Sequence, residues 1–199
     1  MASTTALDGT TVRGRLLEAM LVCLDERGYR ATTIADIVRA ARTSKRSFYE
    51  QFTDKQECYL ELLGSVNHEL LAAIEAAVDQ GAPWREQVRQ AVHAYIAVCE
   101  SHPSITRSWI RELPALGDVA RAVQLASLES FTELMARLTS TEQFRAARIE
   151  PIARETAVII WGGIRELAAS TLEDGRPLRT LEESAVAACL ALTAAGRST

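Results

Sequence analysis

The 199-residue chain is 48% hydrophobic and carries a formal charge of −4, enough apolar content to bury a core and too much for intrinsic disorder. Its longest apolar stretch, Ala157 to Trp161 running into Gly162-Gly163-Ile164, is far shorter than the roughly 18 residues of a membrane span, so the chain reads as soluble with no membrane partner. The four cysteines at 23, 58, 99 and 189 are too widely spaced for a zinc site and fit a reducing cytoplasm.

Apolar residues recur at helical spacing almost throughout, and no segment keeps the period of two that a sheet requires, so the fold class is all-α. Residues 1–11 are polar and read as a loose tail without a targeting role. Leu16, Leu17, Met20, Leu21 and Leu24 form the stripe of a first helix that Gly28 stops. Thr33 caps a short second helix with Asp36 as its capping-box partner, and Ser44 caps a third that runs to about Gln51. Thr53-Asp54-Lys55-Gln56 opens a long fourth helix to about Val78.

Proline is tolerated in a first helical turn and breaks a helix interior, so the prolines divide the remainder. Pro83 opens a helix to about Ser101, Pro103 opens a short one, and Pro114 with Gly117 separates that from a helix ending near Leu138. Pro151 opens a helix to about Leu172, Asp174-Gly175-Arg176-Pro177 makes a turn, and Thr180 with Glu183 caps a last helix that ends before Gly196. Nine helices are expected, with a boundary near residue 55 and the long fourth helix shared as a strut.

Charge is unevenly distributed: residues 1–55 hold 9 basic and 7 acidic side chains, whereas residues 56–199 hold 13 and 19. The basic end therefore lies where three short helices precede a long one. Residues 33–51 have the size of a helix-turn-helix, whose second helix enters a major groove and here presents Lys45, Arg46, Ser47 and Tyr49. Phe48 and Phe52 fall on the opposite, inward spacing.

The run Gly28-Tyr29-Arg30-Ala31-Thr32-Thr33-Ile34-Ala35-Asp36-Ile37-Val38-Arg39-Ala40-Ala41, then Ser44 through Phe52 and Asp54-Lys55, resembles the TetR-family DNA-binding signature in residue type, order and spacing. The resemblance covers roughly residues 12–60. It implies a nine-helix architecture: a three-helix DNA-binding domain over 12–55 and a helical effector-binding and dimerisation domain over 56–199. It further implies a repressor that leaves a palindromic operator when a largely apolar small molecule binds, with no cofactor and no catalysis.

Carried over by position, the resemblance implies DNA contacts from Thr33, Arg42, Ser44, Lys45, Arg46, Ser47, Tyr49 and Lys55. Thr33, Tyr49 and Lys55 would reach phosphates; Lys45 and Arg46 would reach base edges or phosphates, with Ser47 facing the groove beside them. The chain departs from the family pattern at Arg42, where glycine is usual. A side chain there is expected to adopt a left-handed backbone at a cost of about 1 kcal/mol, unless the turn differs or a phosphate contact offsets the strain.

Nothing in the carboxy-terminal two thirds matches a motif. Asn67, Tyr95, Cys99, Trp109, Phe131 and Met135 are candidate effector-cavity residues, with Asn67 and Trp109 preferred. Small residues fill the last two helices, where the resemblance implies a four-helix interface between two copies, assigned to Ala157, Ile160, Ile164, Ala185, Ala188 and Leu192. Two readings compete: a DNA-binding regulator without an effector, and an all-α enzyme. The second finds no support in His68, His93 and His102, which lack the helical spacing of a metal site.

Overall fold

In a computed structural model, residues 9–195 are described. The first eight residues of the expected tail, and the last four of the chain, lie outside them. The described residues form ten α-helices, two 3₁₀ turns and no β-strand element, so the all-α class holds with one helix more than expected. The helices are α1 (Val12–Ala31), α2 (Ile34–Ala40), α3 (Lys45–Tyr49), α4 (Lys55–Ala77), α5 (Trp84–Ser101), α6 (Pro103–Arg111), α7 (Asp118–Leu138), α8 (Glu142–Ala146), α9 (Arg154–Glu173) and α10 (Glu182–Ala194). The additional helix is α8, five residues that place Phe144 in a small cluster with Trp84 and Ile149.

Local side chains set most boundaries. Thr33 accepts from the Asp36 amide while the Asp36 carboxylate accepts from the Thr33 amide, a complete capping box. Ser44 caps α3 by accepting from the Ser47 amide at 3.0 Å. At α4 the pattern is shifted by one residue from expectation. Asp54 accepts from the Glu57 amide at 2.8 Å, and the Glu57 carboxylate reaches back to the amide and hydroxyl of Thr53. Thr180 does not cap α10; it sits in a 3₁₀ turn over Leu178–Leu181 and its hydroxyl donates to the Pro177 carbonyl. Likewise α9 begins at Arg154, three residues beyond Pro151.

The chain divides into two compact units. One comprises residues through Glu69 together with Pro103–Val123; the other comprises Leu70–His102 and the residues from Gln124 onward. This division differs from a cut at residue 55, because α4 up to Glu69 and the segment carrying α6 share a core with the first three helices. In that core Leu16, Leu17 and Met20 of α1 meet Phe48, Phe52, Tyr59, Ile105 and Trp109. The second unit gathers α5, α9, α10 and the later part of α7 around Tyr95, Phe131 and Trp161, with the Phe131 and Trp161 rings stacked 4.4 Å apart.

Candidate nucleic-acid interface and ligand cavity

A five-residue helix is too short to persist on its own, because nucleation costs more than so few hydrogen bonds return. What holds α3 is its underside. Phe48 and Phe52 are buried with 0% and 2% exposure and their rings lie 5.6 Å apart, each contributing about 2 kcal/mol by leaving water. Arg13 of α1 reinforces this floor: its guanidinium lies 4.4 Å over the Phe52 ring, pairs with Glu61 of α4 and donates to the Gln51 carbonyl at 2.6 Å.

The opposite side of α3 faces outward. Lys45, Arg46 and Tyr49 are exposed, the Tyr49 ring at 57% and edge-on to Phe48. The Arg46 side chain is 89% exposed and makes an i,i+4 pair with Glu50 at 3.1 Å, an exposed contact weak enough for a groove to displace. Ser47 is half-buried beside them.

Arg42 lies at φ 51°, the left-handed region expected of it. The turn keeps its closed geometry: the Arg42 amide donates to the Arg39 carbonyl at 3.2 Å and the Thr43 amide to the Val38 carbonyl at 2.9 Å. These two bonds complete a Schellman motif in which glycine is the usual occupant of the left-handed position. Its own side chain is exposed on the same turn.

Three of the expected contact residues already make side-chain hydrogen bonds within the chain. The Thr33 hydroxyl donates to the Asp36 carboxylate at 2.6 Å, so the amino end of α2 already faces a negative group. Hydrogen bonds from the Thr33 hydroxyl and amide, then from Arg39, hold the Asp36 carboxyl down at about 2. The Ser44 hydroxyl serves the α3 cap and meets the Ser47 hydroxyl at 3.0 Å. Lys55 donates to the carbonyls of Tyr29 at 2.9 Å and Thr32 at 2.8 Å, and its ammonium lies 4.2 Å over the Tyr29 ring. It thereby ties the first turn of α4 to the chain following the Gly28 break in α1. Burial holds this ammonium below its ordinary value, against the opposing charge of Glu112.

Within the second unit, side chains from α4, α5, α7, α8, α9 and α10 surround a cavity. The cavity volume is about 70 Å³. Tyr95, Phe131 and Met135 line it. Asn67 and Trp109 do not: both belong to the first unit, where Trp109 is part of the aromatic core. Cys99 is buried beside Tyr95 and is also absent from the lining. Gln87 and Phe144 are lining residues that the sequence reading missed. Gln87 had a legible signal, since it interrupts the apolar stripe Trp84, Val88, Ala91, Val92, Tyr95 at helical spacing.

The expected interface residues divide by burial. Ala157, Ile160 and Ala185 are buried within their own unit, Ile160 as cavity wall, whereas Ile164 and Leu192 are half-buried and Ala188 is exposed. The outward side of α9 carries Ile159, Gly162, Gly163 and Leu167, and that of α10 carries Ala187, Ala188 and Ala191. Among the described residues no group of three or more metal-ligating side chains lies together, the four cysteines are buried and form no disulfide, and no helix is long and apolar enough to cross a membrane.

Residues 16–62 match the sequence model for bacterial regulatory proteins of the tetR family. The transcriptional repressor KstR2 of Mycobacterium tuberculosis H37Rv is 36% identical over 90 residues, 45% of either chain. The transcriptional activator FasR of Mycolicibacterium smegmatis is 28% identical over 143 residues, 69% of this chain and 64% of that one. The match thus spans from under half to under two thirds of these relatives' own length. Likeness of fold extends further. The fatty acid degradation regulator FadR from Bacillus halodurans superposes with a TM-score of 0.77 at 14% identity, over 88% of this chain and 93% of that one. FadR from Bacillus subtilis, solved with stearoyl-CoA, gives 0.76 at 15% identity, over 88% and 96%. The tetR-family segment thus coincides with the capped α2–α3 pair and its aromatic floor, and the chain shares its all-α fold with these solved regulators over most of its length.

Proposed function

We propose that this chain is a transcriptional regulator that binds operator DNA as a homodimer and is released when a small, largely apolar effector occupies the cavity of the second unit. The observation that carries the DNA reading is α3: a rigid buried floor beneath an exposed face of Lys45, Arg46 and Tyr49, with Arg42 on the adjoining turn. These four and Ser47 form the contact set. Thr33, Ser44 and Lys55 act on it by fixing the ends of α2, α3 and α4, and Lys55 keeps one donor beyond the two carbonyls it serves.

Homodimerisation is supported by the outward faces of α9 and α10. Beyond its own helix backbone, a methyl group built at Gly162 or Gly163 meets no atom of the described residues within 4 Å, so no contact among those residues explains two helix-interior glycines that cost about 1 kcal/mol each relative to alanine. A close-packed interface between two copies does explain them. The pair would place two recognition helices about 34–36 Å apart, one turn of DNA. Both α4 and α7 contribute residues to each unit, which gives effector binding a covalent route to the DNA-binding helices; coupling of this kind amounts to about 1–3 kcal/mol.

Selection of bound fragments from random duplex DNA tests the reading, with a symmetric binding site as the expected result. Tyr49→Phe then weakens binding to all sequences alike, whereas Arg46→Ala or Ser47→Ala changes base preference at particular positions by about 1–3 kcal/mol. Failure to select any duplex at low salt would refute the proposal.

A further inference from the structure

The cavity that we read as the effector site carries one polar feature that specifies more than an apolar occupant. Among the described residues none of its lining side chains is charged: no Asp, Glu, Lys, Arg or His belongs to the wall. Among its polar members, the Thr139 hydroxyl donates to the Met135 carbonyl and accepts from the Ile152 amide. Tyr95 is buried and held protonated, burial being the main cause.

Gln87 differs. It is 2% exposed, and its amide nitrogen donates to the carbonyls of Gln80 at 3.1 Å and Ala82 at 2.8 Å. Those two acceptors fix the orientation of the amide, because a flipped group would set oxygen against two carbonyl oxygens. The remaining atom, Oε1, is buried and has no protein hydrogen-bond partner among the described residues. A buried carbonyl of this kind demands a donor. An occupant that covers it without donating leaves it unpaired, while one carrying a hydroxyl satisfies it.

We propose that the cavity selects a neutral, predominantly apolar molecule bearing one O–H donor, an alcohol or phenol, with Gln87 Oε1 accepting its hydrogen bond. This rests on the reading of the cavity as the effector site. A carboxylate is disfavoured twice over, since it offers Oε1 no proton and brings a charge against a wall whose described residues hold no compensating cation. Arg165 is half-buried close to Tyr95 and stacks over Trp161, but it does not line the cavity.

The test uses the full-length chain and two matched sets of probes: 1-octanol, octyl methyl ether and octanoate; and 4-propylphenol, 4-propylanisole and 4-propylbenzoate. Binding is read by titration calorimetry, with the thermal unfolding midpoint followed in parallel. In at least one set the alcohol or phenol is expected to bind about tenfold more tightly than its ether, the value of one buried hydrogen bond, and at least about tenfold more tightly than the carboxylate. Gln87→Leu should erase the preference over the ether, and Ala91→Phe, which narrows the cavity, should abolish binding of the alcohol. If Gln87→Leu fails to fold, having released the Gln80 and Ala82 carbonyls, the comparison of probes on the unsubstituted chain decides alone. Ethers that bind as well as alcohols, or carboxylates that bind more tightly, overturn the proposal and leave the cavity's effector role standing. Alcohol binding that survives Ala91→Phe overturns its placement here. No binding by any probe to a chain that unfolds cooperatively overturns both.

Discussion

Replacing Arg42 by glycine separates two consequences of one residue. At φ 51° an L-residue pays about 1–2 kcal/mol for its left-handed backbone, and glycine removes that cost while giving back about 0.4–1 kcal/mol through the greater freedom of its unfolded chain. The turn's two hydrogen bonds are backbone bonds and survive the change. The net expectation is a gain of about 0.5–1 kcal/mol, which for a chain of this size raises the unfolding midpoint by about 1–4 °C. The protein supplies its own comparison at Gly175. There the same pair of bonds, from the Gly175 amide to the Leu172 carbonyl and from the Arg176 amide to the Thr171 carbonyl, closes α9 with glycine at φ 69°. If the exposed Arg42 side chain also meets a phosphate, the same variant binds DNA less well, and its log-affinity slope against log-salt becomes shallower by about 0.9 for each phosphate no longer neutralised, or about 2 for a dimer. Urea unfolding and salt-dependent fluorescence anisotropy measure the two effects separately. A variant no more stable than the parent would refute the strain argument, and an unchanged salt slope would refute the phosphate contact.

Lys55→Met retains most of the side chain's bulk but leaves the Tyr29 and Thr32 carbonyls without their ammonium donor, and should cost about 2–3 kcal/mol in urea unfolding; a loss below about 0.5 kcal/mol would mean that solvent replaces the staple at no cost. Asp36, with its carboxyl lowered to about 2 from an ordinary 3.8, contributes stability that is fully present above the ordinary value and is lost as pH falls through the lower one. The difference in stability between the parent and Asp36→Asn should therefore shrink from pH 4 to pH 2, and a difference that stays constant across that range would sever the cap from acid sensitivity. Gly163→Arg, on the outward side of α9, should yield monomers in sedimentation experiments. Ile160→Val, in the wall of the cavity, should cost about 0.5–1.5 kcal/mol with no change in stoichiometry; persistence of the dimer in the glycine variant would remove this face from the interface.

The sequence alone determined what depends on neighbours a few residues away. Helical period, the Thr33 and Ser44 caps, the Gly28 break and the inward spacing of Phe48 and Phe52 all follow from local hydrogen bonds and side-chain direction, and the signature around them marked the segment that matches the tetR-family model. Only the tertiary structure decided which way a residue faces when both choices satisfy the local rules. Small and apolar residues occupy every side of α9, so Ala157 and Ile160 could be assigned to an interface until packing placed them in the core. Lys55 could reach solvent or the end of α1 with the same backbone, and the two carbonyls at Tyr29 and Thr32 drew it inward. Trp109 and Asn67 looked like cavity residues by composition, yet α6 and the first part of α4 share a core with α1–α3. Burial is a property of the assembled neighbours, and no window of sequence contains them.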